Sequence, residues 1–313
     1  TLPVLSPDGA TGYPVTAVTS FAPIYHASMS PIRTVLLPDT VTSLPGQIFD
    51  SGGRVTALET VRLPANLTSI ISYAFRGCTN LTTILPAEFT GNGRVTSFGT
   101  QCFHGCRSLT NRFNLERAVT IGTEAFYNAR KAEYTEDGTL YLTNAVDVGN
   151  AFANVTNIFR VVLTEGLVKS FGFSACPSVT NITPFLPASV TTVRSFQSAT
   201  ALAGCLRISN PGVTSIPGGI ISYTKVGELD LRGSSISSWS GLAFWYNTTL
   251  SNVWFHTGFA FPPVDGLFNG QPLRHLYFTG NATNPDRRHI YNSSYYCYLF
   301  PKWNTTWTDL LAD

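Results

Sequence analysis

Apolar residues along this chain recur in short alternating stretches rather than in helical periods. Val61 and Leu63 alternate in ETVRLP, Leu140 and Leu142 in TLYLTN, and Val161 and Leu163 in FRVVLTE. The same spacing returns with Leu229 and Leu231, Val253 and Phe255, and Leu276 and Phe278. A period of two with one apolar face predicts a very short, half-buried strand. Another apolar residue precedes several of these pairs by three positions (Leu58, Val226, Leu250 and Leu273), so the unit reads L-x-x-L-x-L.

Two further columns run beside the first. One is an aromatic slot after a small or polar residue: Phe49, Phe75, Phe103, Phe126, Phe152 and Phe173. It continues in degraded form at Phe196, Phe244 and Phe268, and is aliphatic around Ile220. The other is V-T-S-hydrophobic, as in VTSLP at 41–45, VTSFG at 95–99 and VTSIP at 213–217. Val and Thr are stiff at the first side-chain torsion and favour extended backbone, and the Gly or Pro that follows turns the chain. A β-sandwich also has many short strands, but it does not repeat three columns in fixed order.

The columns recur at steps of roughly 21–28 residues, a leucine-rich solenoid period rather than that of a helical-repeat array. No single coil can bury its own apolar edge, so coils stack and their inward residues form ladders. The expected fold is a mostly β solenoid with short parallel strands on one face and about eleven coils. It is expected as one domain over 1–313, with a lead-in at 1–14 and a C-terminal cap at 285–313. Tyr295, Tyr298, Phe300, Trp303 and Trp307 would cover the last coil.

Composition narrows the partners. Only 12% of residues are charged, about half the usual share, and the surface is wetted instead by Thr, Ser, Asn and Gly. The net charge is +2 with no basic block beyond Arg287-Arg288, so nucleic acid is not an expected partner. No run of 18 apolar residues exists, so a membrane-spanning helix is not expected. The sequence starts TLPVLSPDGATG without Met, which suggests that an upstream portion has been removed.

The run LPANLTSIISYAFRGCTNLTTILP, residues 63–86, resembles the BspA-like leucine-rich repeat. That repeat reads approximately I-P-x-S-V-T-S-I-G-x-x-A-F-x-x-C-x-x-L-x-x-V-x-L. The resemblance covers nearly the whole chain, is strongest over 41–126 and weakens after 200. It implies a surface or secreted protein of the kind found in gut and oral bacteria and some mucosal protozoa. It further implies adhesion to host matrix, other cells or glycans, with no catalytic motif to carry over. Several coils lack the cysteine, and ARKAEYTEDGTLYLTN at 129–144 makes one coil irregular.

Chemistry is sparse. The six cysteines (Cys78, Cys102, Cys106, Cys176, Cys205 and Cys297) are too scattered for a disulfide framework, although an even count permits bridges. Cys78 and Cys106 share one repeat position, three after Phe75 and Phe103, and are expected as small buried hydrophobes in a ladder. Cys102 and Cys106, four apart with His104 between them, could be two metal ligands, but His26, His104, His256, His275 and His289 form no metal-binding motif. GSSISSWSG at 233–241 lacks the G-x-S-x-G form of a hydrolase elbow. Glu133 and Glu136 would serve glycoside hydrolysis only if held across a cleft, and are expected as wet loop residues. No catalytic residue, metal or cofactor is assigned.

Surface recognition remains. The residue between the two inward positions of each strand should point outward: Arg62, Tyr141, Val162, Arg207, Asp230, Trp254 and Tyr277. In the last three coils, Glu228, Asp230 and Arg232 would lie beside Asn252, Trp254 and His256, then His275, Tyr277 and Thr279. Exposed Trp and Tyr are frequent interface anchors and sugar-stacking groups. The candidate ligand-binding residues are therefore Trp254, Tyr277, His256, His275, Asp230, Arg232 and Glu228. The bland alternative is that Trp254 and Tyr277 merely pack on each other or under the C-terminal segment. The expected function is non-enzymatic adhesion by a monomer, outside the cell or at its surface, to a matrix protein or glycan. A surface spacer or a glycan-acting enzyme are the alternatives.

Overall fold

A computed structural model describes residues 33–50, 57–86, 94–145, 147–164, 167–183, 188–240, 243–256 and 271–278. The expected lead-in, the C-terminal cap, Phe268, Thr279 and Cys297 lie outside them. The chain divides into two compact units, Thr1–Phe159 and Arg160–Asp313. Both are built from the same coil, and the fold is a β-solenoid of about nine parallel, strand-bearing turns. The count of about eleven from sequence included segments before 33 and after 278.

In the first unit, β1 (Thr34–Leu36), β2 (Thr60–Arg62) and β4 (Thr83–Leu85) pair in parallel and align Val35, Val61 and Ile84 inward. The V-T-S column forms the second edge: β3 (Ser69–Ile70), β5 (Ser97–Phe98), β6 (Thr120–Ile121) and β8 (Asp147–Gly149). Hydroxyls in the gaps satisfy backbone carbonyls of the preceding coil, as Thr82 does to Glu59 at 2.9 Å and Thr110 to Thr82 at 3.0 Å. Where the strand lapses after β4, the Asn111 amide takes its place. It accepts from Ile84 N at 2.7 Å and donates to Ile84 O at 2.8 Å.

Between the two edges lies the aromatic column. Phe49, Phe75, Phe103, Phe126 and Phe152 are fully buried, and successive rings stack at 5.2, 5.3, 5.5 and 5.3 Å. Cys78 and Cys106 sit beside it as expected, each donating to the carbonyl of the slot residue one coil back: Phe49 at 3.3 Å and Phe75 at 3.1 Å. Burial, reinforced by the charge of Asp50, pushes the Cys78 thiol up to about 12. All five described cysteines are free thiols. The segment 129–144 is more than an irregular loop. It contains β7 (Thr139–Leu142) and sets the buried Tyr134 edge-on against both Phe126 and Phe152.

The glycine closing V-T-S-F-G and V-T-I-G has a different role from the turn expected of it. A Cβ on Gly122 would stand 2.5 Å from Thr100 N and 2.7 Å from the Gly99 carbonyl carbon, both backbone atoms of the preceding coil. It is close approach between coils that demands glycine here. Gly122→Ala is expected to lower stability by about 1–3 kcal/mol, as overpacking does. Denaturant titration measures this, and an unchanged midpoint would refute the packing assignment.

The second unit opens with β9 (Arg160–Leu163) paired to β11 (Asn181–Thr183), and β10 (Ser170–Phe171) paired to β12 (Thr192–Val193). Its longer strand face comprises β13 (Ala203–Arg207), β15 (Lys225–Asp230), β17 (Asn252–Phe255) and β18 (His275–Phe278). The opposite edge is β14 (Ser215–Ile216) with β16 (Ser238–Trp239). The slot expected around Ile220 falls one residue later. Phe196 N donates to Ile220 O as Phe126 N donates to Ala151 O, so Ile221 is the counterpart of Phe152. The second position after the slot is left-handed coil after coil, at Gly77, Gly105, Asn128, Asn154, Ala175, Ser198, Tyr223 and Tyr246. For a residue with a Cβ this conformation costs on the order of 1 kcal/mol.

Candidate functional site

Parallel register in the second unit sets Arg207, Asp230, Trp254 and Tyr277 abreast on β13, β15, β17 and β18. Cys205, Glu228, Asn252 and His275 form the neighbouring outward row. The alternation that buries Leu229, Val253 and Leu276 leaves these positions on the other side of each strand.

Asp230 organises the patch. Although placed outward by register, its side chain is only 6% exposed, because two arginines close over it. Arg207 Nε lies 3.0 Å from Oδ2 and Arg232 Nη2 lies 2.9 Å from it, while Arg232 Nε and N both donate to Oδ1. Burial opposes ionisation of Asp230, but the hydrogen bonds from Arg232 and the charges of both arginines outweigh it. The carboxyl is held below the usual range. The guanidinium of Arg232 is in turn raised by its hydrogen bond to Asp230. Asp230 is thus a fixed anion that orients two cations, whose side chains remain 62% and 49% exposed.

The aromatic pair lies alongside. Trp254 and Tyr277 are half-buried and stack at 4.8 Å with planes 8° apart. The guanidinium carbon of Arg232 lies 5.9 Å from the Trp254 ring centroid, within cation–π range. His275 stacks on Tyr277 at 5.7 Å and its Nδ1 is 3.0 Å from Asn252 Oδ1, while Asn252 Nδ2 donates to Glu228 at 3.3 Å. Six of the seven predicted residues thus meet in one network. His256 sits on the same β17 edge, but its Nε2 is hydrogen-bonded to the Ile236 carbonyl at 3.0 Å. Trp254 and Tyr277 do pack on each other, as the bland alternative requires, and their pairing gives a continuous flat surface.

Arg112 pairs with Glu133 at 3.4 Å and with Glu136 at 3.2 Å, so one cation serves both carboxylates. Glu136, together with Arg112 and Glu116, borders a cavity of about 250 Å3 whose lining includes Phe113, Tyr134, Leu140 and Tyr141, whereas Glu133 is not part of that lining. Cys102 and Cys106 are buried in the core, whereas His104 stacks on Tyr127 at 4.6 Å. Among the described residues, no group of three His, Cys, Asp or Glu could hold a metal ion. Among them, too, no helix is long and apolar enough to cross a membrane.

One feature of the surface was missed in the sequence. Tyr223, Trp245 and Tyr246 are exposed large aromatics on the turns after the slot, away from the strand positions. Their signal was available: tyrosine occupies a column that glycine and asparagine fill in earlier coils.

Comparison with known proteins matches residues 22–136, 87–199 and 143–251 to the BspA type leucine rich repeat region, in six copies. A leucine-rich repeat protein from Bacteroides ovatus ATCC 8483 is similar in fold, with a TM-score of 0.54 at 20% identity over 77% of this chain. This chain spans 60% of that protein's length. A leucine rich cell surface protein from Faecalibacterium prausnitzii A2-165 aligns over 91% of this chain and 92% of its own, at 15% identity and a TM-score of 0.43. A search of curated proteins found no match.

Proposed function

Because the chain belongs to the BspA-type leucine-rich repeat family, we propose that it is a non-enzymatic recognition module, displayed outside the cell or at its surface. It binds a host or neighbouring-cell protein or glycan through the strand face of its second unit. The observation that carries this is the Trp254–Tyr277 stack beside the Arg207–Asp230–Arg232 network. Flat rings supply contact area at low entropic cost, and guanidinium groups fixed by a buried carboxylate are pre-organised donors. The carboxylate itself is occupied by both arginines, which makes it a poor general acid or base. The fold is of a kind typical of protein- or glycan-binding adhesion modules.

The test is binding of the full chain to an array of extracellular-matrix proteins and mucosal glycans, repeated with Trp254→Ala/Tyr277→Ala. Loss of a central aromatic anchor costs about 2 kcal/mol or more, roughly thirtyfold in Kd. Unchanged affinity in a variant with a native circular-dichroism spectrum would remove the site from this face. Silence across the array would leave a surface spacer as the better account.

A further inference from the structure

The turn edge of the second unit carries a second aromatic cluster that the strand face does not use. In six turns the left-handed position after the slot holds Gly, Asn, Ala or Ser, but in the next two it holds Tyr223 (φ 58°) and Tyr246 (φ 57°). A bulky side chain there is disfavoured, and strain that persists points to use when packing does not repay it. Packing does not: Tyr223 is 45% exposed, Tyr246 52% and the adjacent Trp245 46%. The rings are nonetheless ordered against one another. Tyr246 stacks on Tyr223 at 4.9 Å with planes 15° apart, and on Trp245 at 4.8 Å with planes 13° apart.

The surroundings select among ligand classes. Within three residues of these aromatics along the chain, Lys225 is the one charged side chain. The preceding turn, 195–200, contributes only amide, hydroxyl and apolar groups, with Gln197 exposed and Ser198 partly so. An acidic ligand would favour the guanidiniums of the strand face instead. Near-parallel rings with a rim of amide and hydroxyl groups and a single lysine suit the C–H face of a pyranose, whose hydroxyls would meet those donors and acceptors.

We propose that Tyr223, Trp245 and Tyr246 form a second binding site, on the turn edge, for a neutral oligosaccharide. The site does not depend on the strand-face proposal. The experiment uses the full chain with maltohexaose, cellohexaose and chitohexaose as neutral probes and a heparin hexasaccharide as the acidic one. Binding is read by saturation-transfer NMR and calorimetry. Tyr223→Asn/Tyr246→Asn restores a residue that earlier coils use at this position, and Trp245→Gln does the same by reference to Gln197. The expected result is binding of at least one neutral probe, weakened tenfold or more in both variants and kept by Trp254→Ala/Tyr277→Ala. The thermal midpoint of Tyr223→Asn/Tyr246→Asn should stay level or rise, since strain is relieved. A clear fall in that midpoint would make the tyrosines structural and overturn the proposal. Failure of all neutral probes, preference for the heparin fragment, or binding retained in both variants would overturn it too. So would sedimentation showing self-association of the wild-type chain that these substitutions abolish.

Discussion

Truncating Phe126 to alanine is expected to destabilise the first unit by about 3–5 kcal/mol, at the high end for a single side chain. The reason is its position at the crossing of two sets of rings. It stacks in the column with Phe103 at 5.5 Å and Phe152 at 5.3 Å, and meets Phe98 at 5.4 Å, Phe113 at 5.1 Å and Tyr134 at 6.0 Å. Aromatic pairs add roughly 0.5–1.5 kcal/mol each beyond their buried area. The void cannot readily close, because coil spacing is held by backbone bonds such as Phe103 N to Ala125 O and Phe126 N to Ala151 O, both 2.8 Å. In a stacked array the loss also weakens coupling between neighbouring coils. Urea denaturation measures the effect, with Phe126→Leu, which keeps much of the apolar volume but loses every ring contact, as a comparison expected to cost less than alanine. Equal costs for the two variants would show that the ring contacts, rather than the volume filled, are what hold this coil.

Asn247→Ala is expected to be comparably damaging to the second unit, again by about 3–5 kcal/mol, through lost hydrogen bonds rather than lost volume. Asn247 is fully buried. Its Nδ2 donates to Val226 O at 3.1 Å, Thr224 Oγ1 at 3.2 Å and Ile221 O at 3.3 Å. Its Oδ1 accepts from Leu250 N at 2.7 Å and Thr249 N at 2.9 Å. Alanine would leave the Thr249 and Leu250 N–H groups without this acceptor, and for the buried Leu250 N–H that costs about 1–3 kcal/mol, to which the acceptors deserted by the side-chain amide add. Asn247→Asp keeps the acceptor but loses the donors and introduces a charge. Burial raises the pKa of such a carboxyl above its unfolded value, so its penalty should be greatest at neutral pH and shrink as pH falls. Thermal midpoints of both variants at neutral and mildly acid pH test this. A tolerated Asn247→Ala would mean that the backbone repacks around the turn.

Asn247 also illustrates where sequence reasoning stops. It belongs to one of eight N-x-S/T triplets, and the motif alone does not set it apart from Asn66 or Asn80. In the fold Asn66 and Asn80 are exposed, whereas Asn247 is part of the core. The surface patch shows the same limit. Register could be guessed from the L-x-L columns, and it does bring Trp254 beside Tyr277. The burial of Asp230 beneath two arginines could not be guessed, since one partner is 23 residues away and the pairing includes a register shift between Gly204 and Cys205.

What the amino-acid order determined by itself is the coil. Alternating apolar pairs, V-T-S edges and a phenylalanine every two dozen residues leave each coil with an apolar edge that only another coil can cover. The stacking and the buried Phe and Cys columns follow from that requirement alone. Tertiary structure decided what lies outside it. The glycine at 122 is fixed by backbone of the preceding coil, and Tyr134 from the irregular segment becomes a core ring. Tyr223 and Tyr246 meet because their turns are left-handed at matching positions in adjacent coils. Inward positions are dictated by burial, which a local period encodes. Outward contacts depend on turn conformation and inter-coil register, which arise only when coils separated by more than twenty residues are brought together.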